Sequence, residues 1–363
     1  MADPLEAKLG SRARVLLPIA ILALVGLSAW RLWPRGPEVF SFKGPTMGTT
    51  FAITVVADRI DAAEAQALRR AISDELEEIN RLMSNYRPDS EISRFNAHQS
   101  LDAFPLSAPM FEVLEISEEV SSLSGGAFDI TIPPLLEAWG FGPHADPQRD
   151  PPTAATLAAL RTRVGQGLLV LDKGAKTALK GHKQLEIDLS AIAPGYAADR
   201  LATLLSTRGY SRYMIDVGGE FSVLGHNQGG DKWRVGIERP TETRSDAPIL
   251  QTVVHLDRGA LATSGDYRTY REIDGRRISH TIDPRSQKPI DHGLASVTVI
   301  AENAARADAL ATALNVLGPK EGLALATEQA LPVMMIIREG EGFTTRTSPA
   351  FDSLQNGADR ATL

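Results

Sequence analysis

The chain predicts an α+β fold: a single large domain of mixed, mainly antiparallel sheet with packed helices, preceded by an N-terminal membrane anchor. Three observations carry this prediction. Apolar–polar alternation with a period of two recurs in many short segments after Leu168. Glycine pairs such as Gly218-Gly219 sit between neighbouring segments, where hairpin turns need them. Strong helical periodicity is confined to a few stretches, and these do not alternate with strands as a doubly wound parallel sheet requires.

At the N-terminus, Lys8, Arg12 and Arg14 precede an apolar run over residues 15–30, broken only by Pro18, Gly26 and Ser28. Trp30 and Trp33 stand at its end, as aromatic side chains do at a membrane interface. The run is near the lower limit of about 17 residues for a span. The expected organisation is a cytoplasmic tail (1–14), a signal anchor (15–33), a linker (34–41), one domain (42–352) and a C-terminal tail (353–363). A cleavable signal peptide is the rival reading; Ala29 could precede the cut, but Leu27 is too large for a small-x-small site.

Within the domain, Thr46-Met47-Gly48-Thr49-Thr50 leads into the alternating Phe51, Ile53 and Val55, a strand. Asp61 starts a helix whose stripe of Leu68, Ile72, Leu76, Ile79 and Met83 is core. A polar loop holding Tyr86 follows. A second helix over 108–123 buries Phe111, Leu114 and Val120. The glycine pair of Ser124-Gly125-Gly126-Ala127-Phe128-Asp129 fits either a tight turn or close backbone approach to a ligand. Residues 144–152 form a Pro- and Asp-rich surface loop, and 156–164 a short helix. Strands are expected over 168–171, 184–189, 213–217, 220–224, 233–237, 252–256, 259–263, 277–282, 295–301 and 332–337. Between the strand at 184–189 and a helix carrying Tyr196, Ala197, Leu201, Leu204 and Leu205 lies a turn with Pro194 and Gly195. The Pro suits the first helical turn, whose free N–H groups form an anion site; Asp188 stands at its edge. An ordinary strand–turn–helix corner explains the same residues. A last helix over 304–317 is expected to end at Gly318 as a C-cap, and the final dozen residues to fray.

The chemistry-bearing residues are few. A net charge of −7 with no basic stripe argues against a nucleic-acid partner. The absence of cysteine excludes thiolate catalysis, Fe–S clusters and disulfides, and suits an oxidising compartment. Asp308 and Thr312 share a helix face and could bind a hard cation, or simply face solvent. His280 has polar neighbours that could orient it, or it is structural. Thr263-Ser264-Gly265-Asp266-Tyr267-Arg268 could contact phosphate or form a capped turn. Tyr86 could stack on a planar ring or merely pack. No P-loop, dinucleotide glycine motif, HExxH or GxSxG occurs in its proper context.

Taken in order, the blocks TMGTTF, MSNYRPDSEISRFN, GGAFDITIPPLLEAWGFGP, IDLSAIAPGYAADRL, DVGGEF, ATSGDYRTY, SHTIDPRSQKPI and ADALATALNVLG resemble the ApbE family of FAD:protein FMN transferases. The resemblance covers about residues 45–350. It implies a T-fold-like catalytic domain that moves the FMN part of FAD onto a Thr or Ser hydroxyl of a target protein and releases AMP. It implies that Met47 and Tyr86 line the flavin site and that Ala127, Phe128, Asp129 and Asp188 hold FAD. Pro194 and Ile282 would contact the cofactor, the Ala191 carbonyl with Asp308 and Thr312 would bind Mg²⁺, and His280 would help activate the acceptor or settle the phosphate, being the candidate to take the acceptor proton ahead of Asp266 or Asp283. The implied partners are FAD and acceptor flavoproteins such as subunits of sodium-pumping NADH:quinone reductase or Rnf complexes. The implied location is the bacterial inner membrane with the domain on the periplasmic side. The chain departs from the family pattern at Pro194, where many members carry Lys, and at Ala311, where some carry a second Asp; HTIDP replaces the usual HIIDP. Two alternatives remain at this level: an Mg²⁺-dependent FAD pyrophosphatase giving FMN and AMP, and a non-catalytic FAD-binding protein.

Overall fold

Eight strands build the main sheet and lie side by side in the order in which they occur along the chain. They are β1 (Glu38–Thr46), β2 (Thr49–Ala57), β3 (Tyr213–Val217), β4 (Glu220–Leu224), β5 (Arg258–Gly265), β6 (Leu294–Ala301), β7 (Val333–Glu339) and β8 (Gly342–Thr347). Every pairing among them is antiparallel, so the parallel component of the expected mixed sheet is absent among the described residues. The computed structural model describes residues 36–142, 146, 148–240, 249–265, 270–273, 276–340 and 342–360, together with 16, 18, 19 and 21–24.

The function-bearing segments are insertions in this meander. Between β2 and β3 lie α1 (Ala62–Met83), α2 (Ala108–Leu123) and α3 (Ala193–Thr207); α4 (Ala304–Glu328) joins β6 to β7. These helices cover one face of the sheet. The period-two rule sorts the strand residues: Ala260 and Ala262 of β5 and Val297 and Val299 of β6 join the helix-side core, while Leu261 and Ile300 face the other way. That second face is covered by a hairpin, Trp233–Glu238 with Leu250–Leu256, and by the C-terminal helix α5 (Pro349–Arg360), which contributes Phe351. The expected fraying of the last dozen residues is thus corrected over 352–360. Phe351 fixes the start of α5 in a core, a long-range contact that local composition does not reveal.

Other differences are as local. The stretch 184–189 is not a strand, although Leu185, Ile187 and Leu189 are buried as its alternation predicted. Its main chain pairs with a side chain instead: Ile187 N donates to Asn96 Oδ1 (2.8 Å), and Asn96 Nδ2 donates to the Ile187 carbonyl (2.9 Å). Short strands at Phe104–Pro105 and Thr177–Lys180, and a helix at Glu91–Ala97, were not expected. The strand expected over 277–282 is divided into Arg276–Ser279 and Ile282–Asp283, and the short helix runs from Ala154 to Leu160. Gly318 ends the first helical run of α4, as expected, but a second run follows it directly. With φ of 74° it kinks α4, and Pro319 restarts the helix, because a proline in a first turn gives up no hydrogen bond.

Two helices cap each other. Ile192 offers α3 no side-chain cap, and Gly195 N of its first turn donates to Asp308 Oδ2 of α4 (3.2 Å). In return, Ala304 N and Ala305 N of α4 donate to the two carboxylate oxygens of Asp199 on α3, both at 2.8 Å. Each acid therefore meets orphan N–H groups and the positive end of the partner's dipole. Burial pushes the Asp199 carboxyl up to about 6, against the pull of the two amides, from an ordinary value of 3.8. Between those values the folded protein holds more protons than the unfolded one. Its stabilising contribution is therefore complete below about pH 4 and lost as pH rises through about 6. The stability of the wild type relative to Asp199→Asn is expected to fall by about 2–3 kcal/mol between pH 4 and pH 7. Urea unfolding of both proteins checks this, and a flat difference would contradict it.

Candidate active site

A cavity of about 340 Å³ opens where several segments meet. The end of β5 supplies Ser264 and Gly265, and α4 supplies Asp308, Thr312, Asn315 and Val316. The 127–132 turn, the 188–191 turn and the 280–284 segment close the remaining sides. The structure thus gathers Ala127, Phe128, Asp129, Asp188, Ala191, His280, Ile282, Asp308 and Thr312 around one space. Asp308 and Thr312 point the same way because they are one helical turn apart.

Three expected residues are not on its wall. Met47 sits in the β1–β2 turn with φ of 48° and packs against the main core. Tyr86 is 75% exposed, but its neighbour Asn85 donates to Asp188 Oδ2 (2.8 Å), so its loop is tied to the cavity edge. Pro194 is in the first turn of α3, as its ring favours, and does not line the space. The N-terminus of α3 is not an open anion site either, since the carboxylate of Asp308 already accepts from Gly195 N. Asp266 lies outside the described residues, as do Tyr267 and Arg268.

The acids differ in how their own chain uses them. Asp129 Oδ1 accepts from Thr131 N (2.7 Å) and Thr131 Oγ1 (2.6 Å), and Oδ2 from Gln166 N (2.9 Å). Its carboxylate thus ties the 129–131 turn to the 165–166 segment. Burial nonetheless raises its carboxyl above the ordinary range. Asp188 accepts from Asn85 through Oδ2 and from Ser190 N through Oδ1 (2.7 Å). Asp308 is only 6% exposed, and burial pushes it up to about 7 although Gly195 N favours its charged form.

Glu220, missed in the sequence, lines the same cavity and is 9% exposed. Burial first, then the negative charges of Asp308 and Asp216, drives its carboxyl well above the usual carboxylate range. Its signal was the glycine pair before it: Gly218 and Gly219, at φ of 73° and 111°, make the hairpin that starts β4 inside the site. Asn315 was missed as well, although it falls three residues after Thr312, on the same face of α4.

The donor set suits a hard divalent cation. A buried carboxylate, the Thr312 hydroxyl, the Ala191 main chain and nearby Glu220 offer only oxygen, and two crowded acids gain from a positive charge. Among the described residues no three His, Cys, Asp or Glu side chains stand ready to hold a metal alone. That is the normal state of a Mg²⁺ site, which takes one or two carboxylates and completes its octahedron with water and substrate phosphates.

An antiparallel meander with α1–α4 on one face, and an oxygen-lined, partly apolar cavity, defines an α+β protein with a ligand-sized site. A model of the ApbE family matches residues 47–336. The FAD:protein FMN transferase of Klebsiella pneumoniae is 42% identical over 310 residues, 85% of this chain and 87% of that protein. That of Escherichia coli K12 is 40% identical over 318 residues, 87% and 89% of the two chains. Among solved structures, the flavin transferase ApbE from Vibrio cholerae superposes with a TM-score of 0.79 at 38% identity, covering 87% of this chain and 99% of that one. The apo form of Pseudomonas stutzeri flavinyl transferase ApbE gives 0.80 at 39%, covering 88% and 98%. The chain belongs to the ApbE family.

Proposed function

We infer that the chain is a FAD:protein FMN transferase, and that it joins FMN through a phosphoester to a Thr or Ser hydroxyl of a target protein. The observation that supports this most is the convergence of Asp188, His280, Asp308 and Thr312, from three separate segments, on one cavity. The acceptor oxygen attacks the FMN phosphorus, the bond from that phosphorus to the bridging pyrophosphate oxygen breaks, and AMP leaves. His280, at the cavity wall, takes the hydroxyl proton. Asp308, Thr312 and the Ala191 carbonyl would hold Mg²⁺, which would supply charge neutralisation at the pyrophosphate. The backbone of Ala127 and Phe128, packing from Ile282, and Asp188 position FAD, while the 84–90 loop brings Tyr86 to the rim beside the flavin. Pro194 holds the α3 turn and reaches FAD only through it.

Incubation with FAD, Mg²⁺ and a Thr-bearing acceptor peptide tests the reading. Flavin fluorescence on the peptide, with AMP released one for one, is expected. Free FMN would favour the pyrophosphatase, and unaltered bound FAD would overturn both activities.

The N-terminal segment serves in this proposal as an inner-membrane anchor that places the domain in the periplasm, beside membrane redox subunits that accept FMN. Most of residues 15–33 lies outside the described residues, and among the described residues no helix is long and apolar enough to cross a membrane. Support comes from the basic residues before the apolar run and from Leu16, Ile19, Ile21, Leu22 and Leu24, which are helical and 52–70% exposed. The full chain is expected to stay with membranes through alkaline carbonate extraction, and its release would remove the anchor from the proposal.

A further inference from the structure

Asp188 lines the cavity, yet the stretch that carries it, 184–189, belongs to no strand. No sheet ladder sets its direction, so side chains must. The N–H and carbonyl of Ile187 both pair with the side chain of Asn96, as they would with a neighbouring strand. That pairing decides more than the place of Ile187. An amide side chain has one oxygen to accept with and one nitrogen to donate with. Ile187 N can only donate, so Asn96 must turn Oδ1 toward it. Asn96 Nδ2 then has two hydrogens to give. One goes to the Ile187 carbonyl and the other to Asn85 Oδ1 (3.3 Å). With its oxygen so engaged, Asn85 must turn Nδ2 the other way. That nitrogen donates to Asp188 Oδ2 at 2.8 Å and reaches the Ile187 carbonyl at 3.4 Å.

A one-way chain of donors thus runs from a backbone N–H to a cavity carboxylate. Its far end is anchored by Lys180, which is 3% exposed, donates to the Asn96 carbonyl (3.1 Å) and stands over the Phe95 ring, 4.6 Å from its centroid. At the near end, Asp188 Oδ1 accepts from Ser190 N, so both carboxylate oxygens are held and each keeps a lone pair for a ligand donor. Neither Asn85 nor Asn96 is on the cavity wall. The Asn96 pair alone would hold the 184–189 backbone. The added link through Asn85 ends on the carboxylate, where a hydrogen bond to a charged group is strongest.

We propose that Asn85 and Asn96 are positioning residues for the transfer reaction, holding the Asp188 carboxylate in the orientation in which it accepts from FAD. The inference rests on the transferase reading above, in which Asp188 binds FAD.

The test uses the full chain with Mg²⁺ and reads FAD binding by calorimetry and FMN transfer to a Thr-bearing peptide. Asn96→Asp keeps the oxygen that Ile187 N needs and loses the donor to Asn85. Asn85→Asp keeps the oxygen that Asn96 needs and loses the donor to Asp188. Each is expected to raise both Kd and KM for FAD by about tenfold or more, the effect of losing a hydrogen bond to a charged group. At saturating FAD, kcat should stay within about twofold of wild type, as for a lost ground-state contact. A merely structural role would lower the melting temperature and leave Kd and KM unchanged, and that result would overturn the proposal. Asp188→Ala should itself bind FAD more weakly than wild type. In that background neither substitution should weaken binding further, because both act through the group already removed. A loss of the same size there, or wild-type affinity in Asn85→Asp or in Asp188→Ala, would overturn the proposal. If Asn96→Asp does not fold, the Asn85→Asp arm decides alone. Failure of wild type to bind FAD at all would instead sink the transferase reading.

Discussion

Asp308→Ala is expected to lower Mg²⁺-dependent FMN transfer by at least about a hundredfold, the loss of roughly 3 kcal/mol of transition-state stabilisation. The reason is position as much as charge. Asp308 lines the cavity, is nearly inaccessible to solvent, and is aimed by the Gly195 N–H that it accepts from. Alanine removes the ligand and leaves that N–H unpaired. Asp308→Asn separates the two effects, because an amide oxygen can still accept from Gly195. Both variants should lose activity, and the Asn variant should keep more of the stability. A second readout needs no turnover: Mg²⁺ alone should raise the melting temperature of the wild type and not that of Asp308→Asn, since a ligand stabilises only the state that binds it. With the carboxyl pushed up to about 7 by burial, a cation must displace a proton below that pH. The Mg²⁺-induced shift should therefore shrink as pH falls from about 8 to 6. Full activity in either variant, or an equal Mg²⁺ shift in Asn and wild type, would remove Asp308 from the metal site.

Gly195→Ala is expected to be the most destabilising small substitution in the domain. A Cβ at that position would stand 2.3 Å from the carbonyl oxygen of Ala304, 2.6 Å from its carbon and 2.9 Å from the Ala305 Cα. All three are backbone atoms of α4, so no side chain can swing away. The helices must separate, and both halves of the reciprocal cap lie at that crossing: Gly195 to Asp308, and Ala304 with Ala305 to Asp199. Overpacking typically costs 1–3 kcal/mol, and broken buried hydrogen bonds add to it. A total of about 3–5 kcal/mol should lower the melting temperature by roughly 10 °C. Thermal unfolding of the metal-free protein checks this, and a melting temperature within a degree of wild type would refute the close crossing. Activity should fall as well, because the same crossing positions Asp308.

Much of the fold could be read directly. The α1 stripe of Leu68, Ile72, Leu76, Ile79 and Met83 is buried as its spacing required. The Gly218-Gly219 hairpin and most strands stand where alternation placed them. What escaped were elements held by distant partners: the extended 184–189 stretch paired to the Asn96 side chain, and α5 anchored by Phe351. Local patterning carries no information about such partners.

For the site the division is similar. By itself the amino-acid order determined which residues share a helix face, where the chain must turn, and, through eight ordered blocks, the family. Tertiary structure alone decided that Asp188, His280 and Asp308 meet at one cavity and that Glu220 joins them. It also decided that the α3 N-terminus, which the Pro194-Gly195 turn presents as a vacant anion site, is already met by Asp308. The physical reason is that periodicity specifies the direction of a side chain relative to its own element. Burial, charge coupling and hydrogen-bond satisfaction depend on what the other elements bring, and those come from segments far off in the chain, as Asp308 does for Gly195.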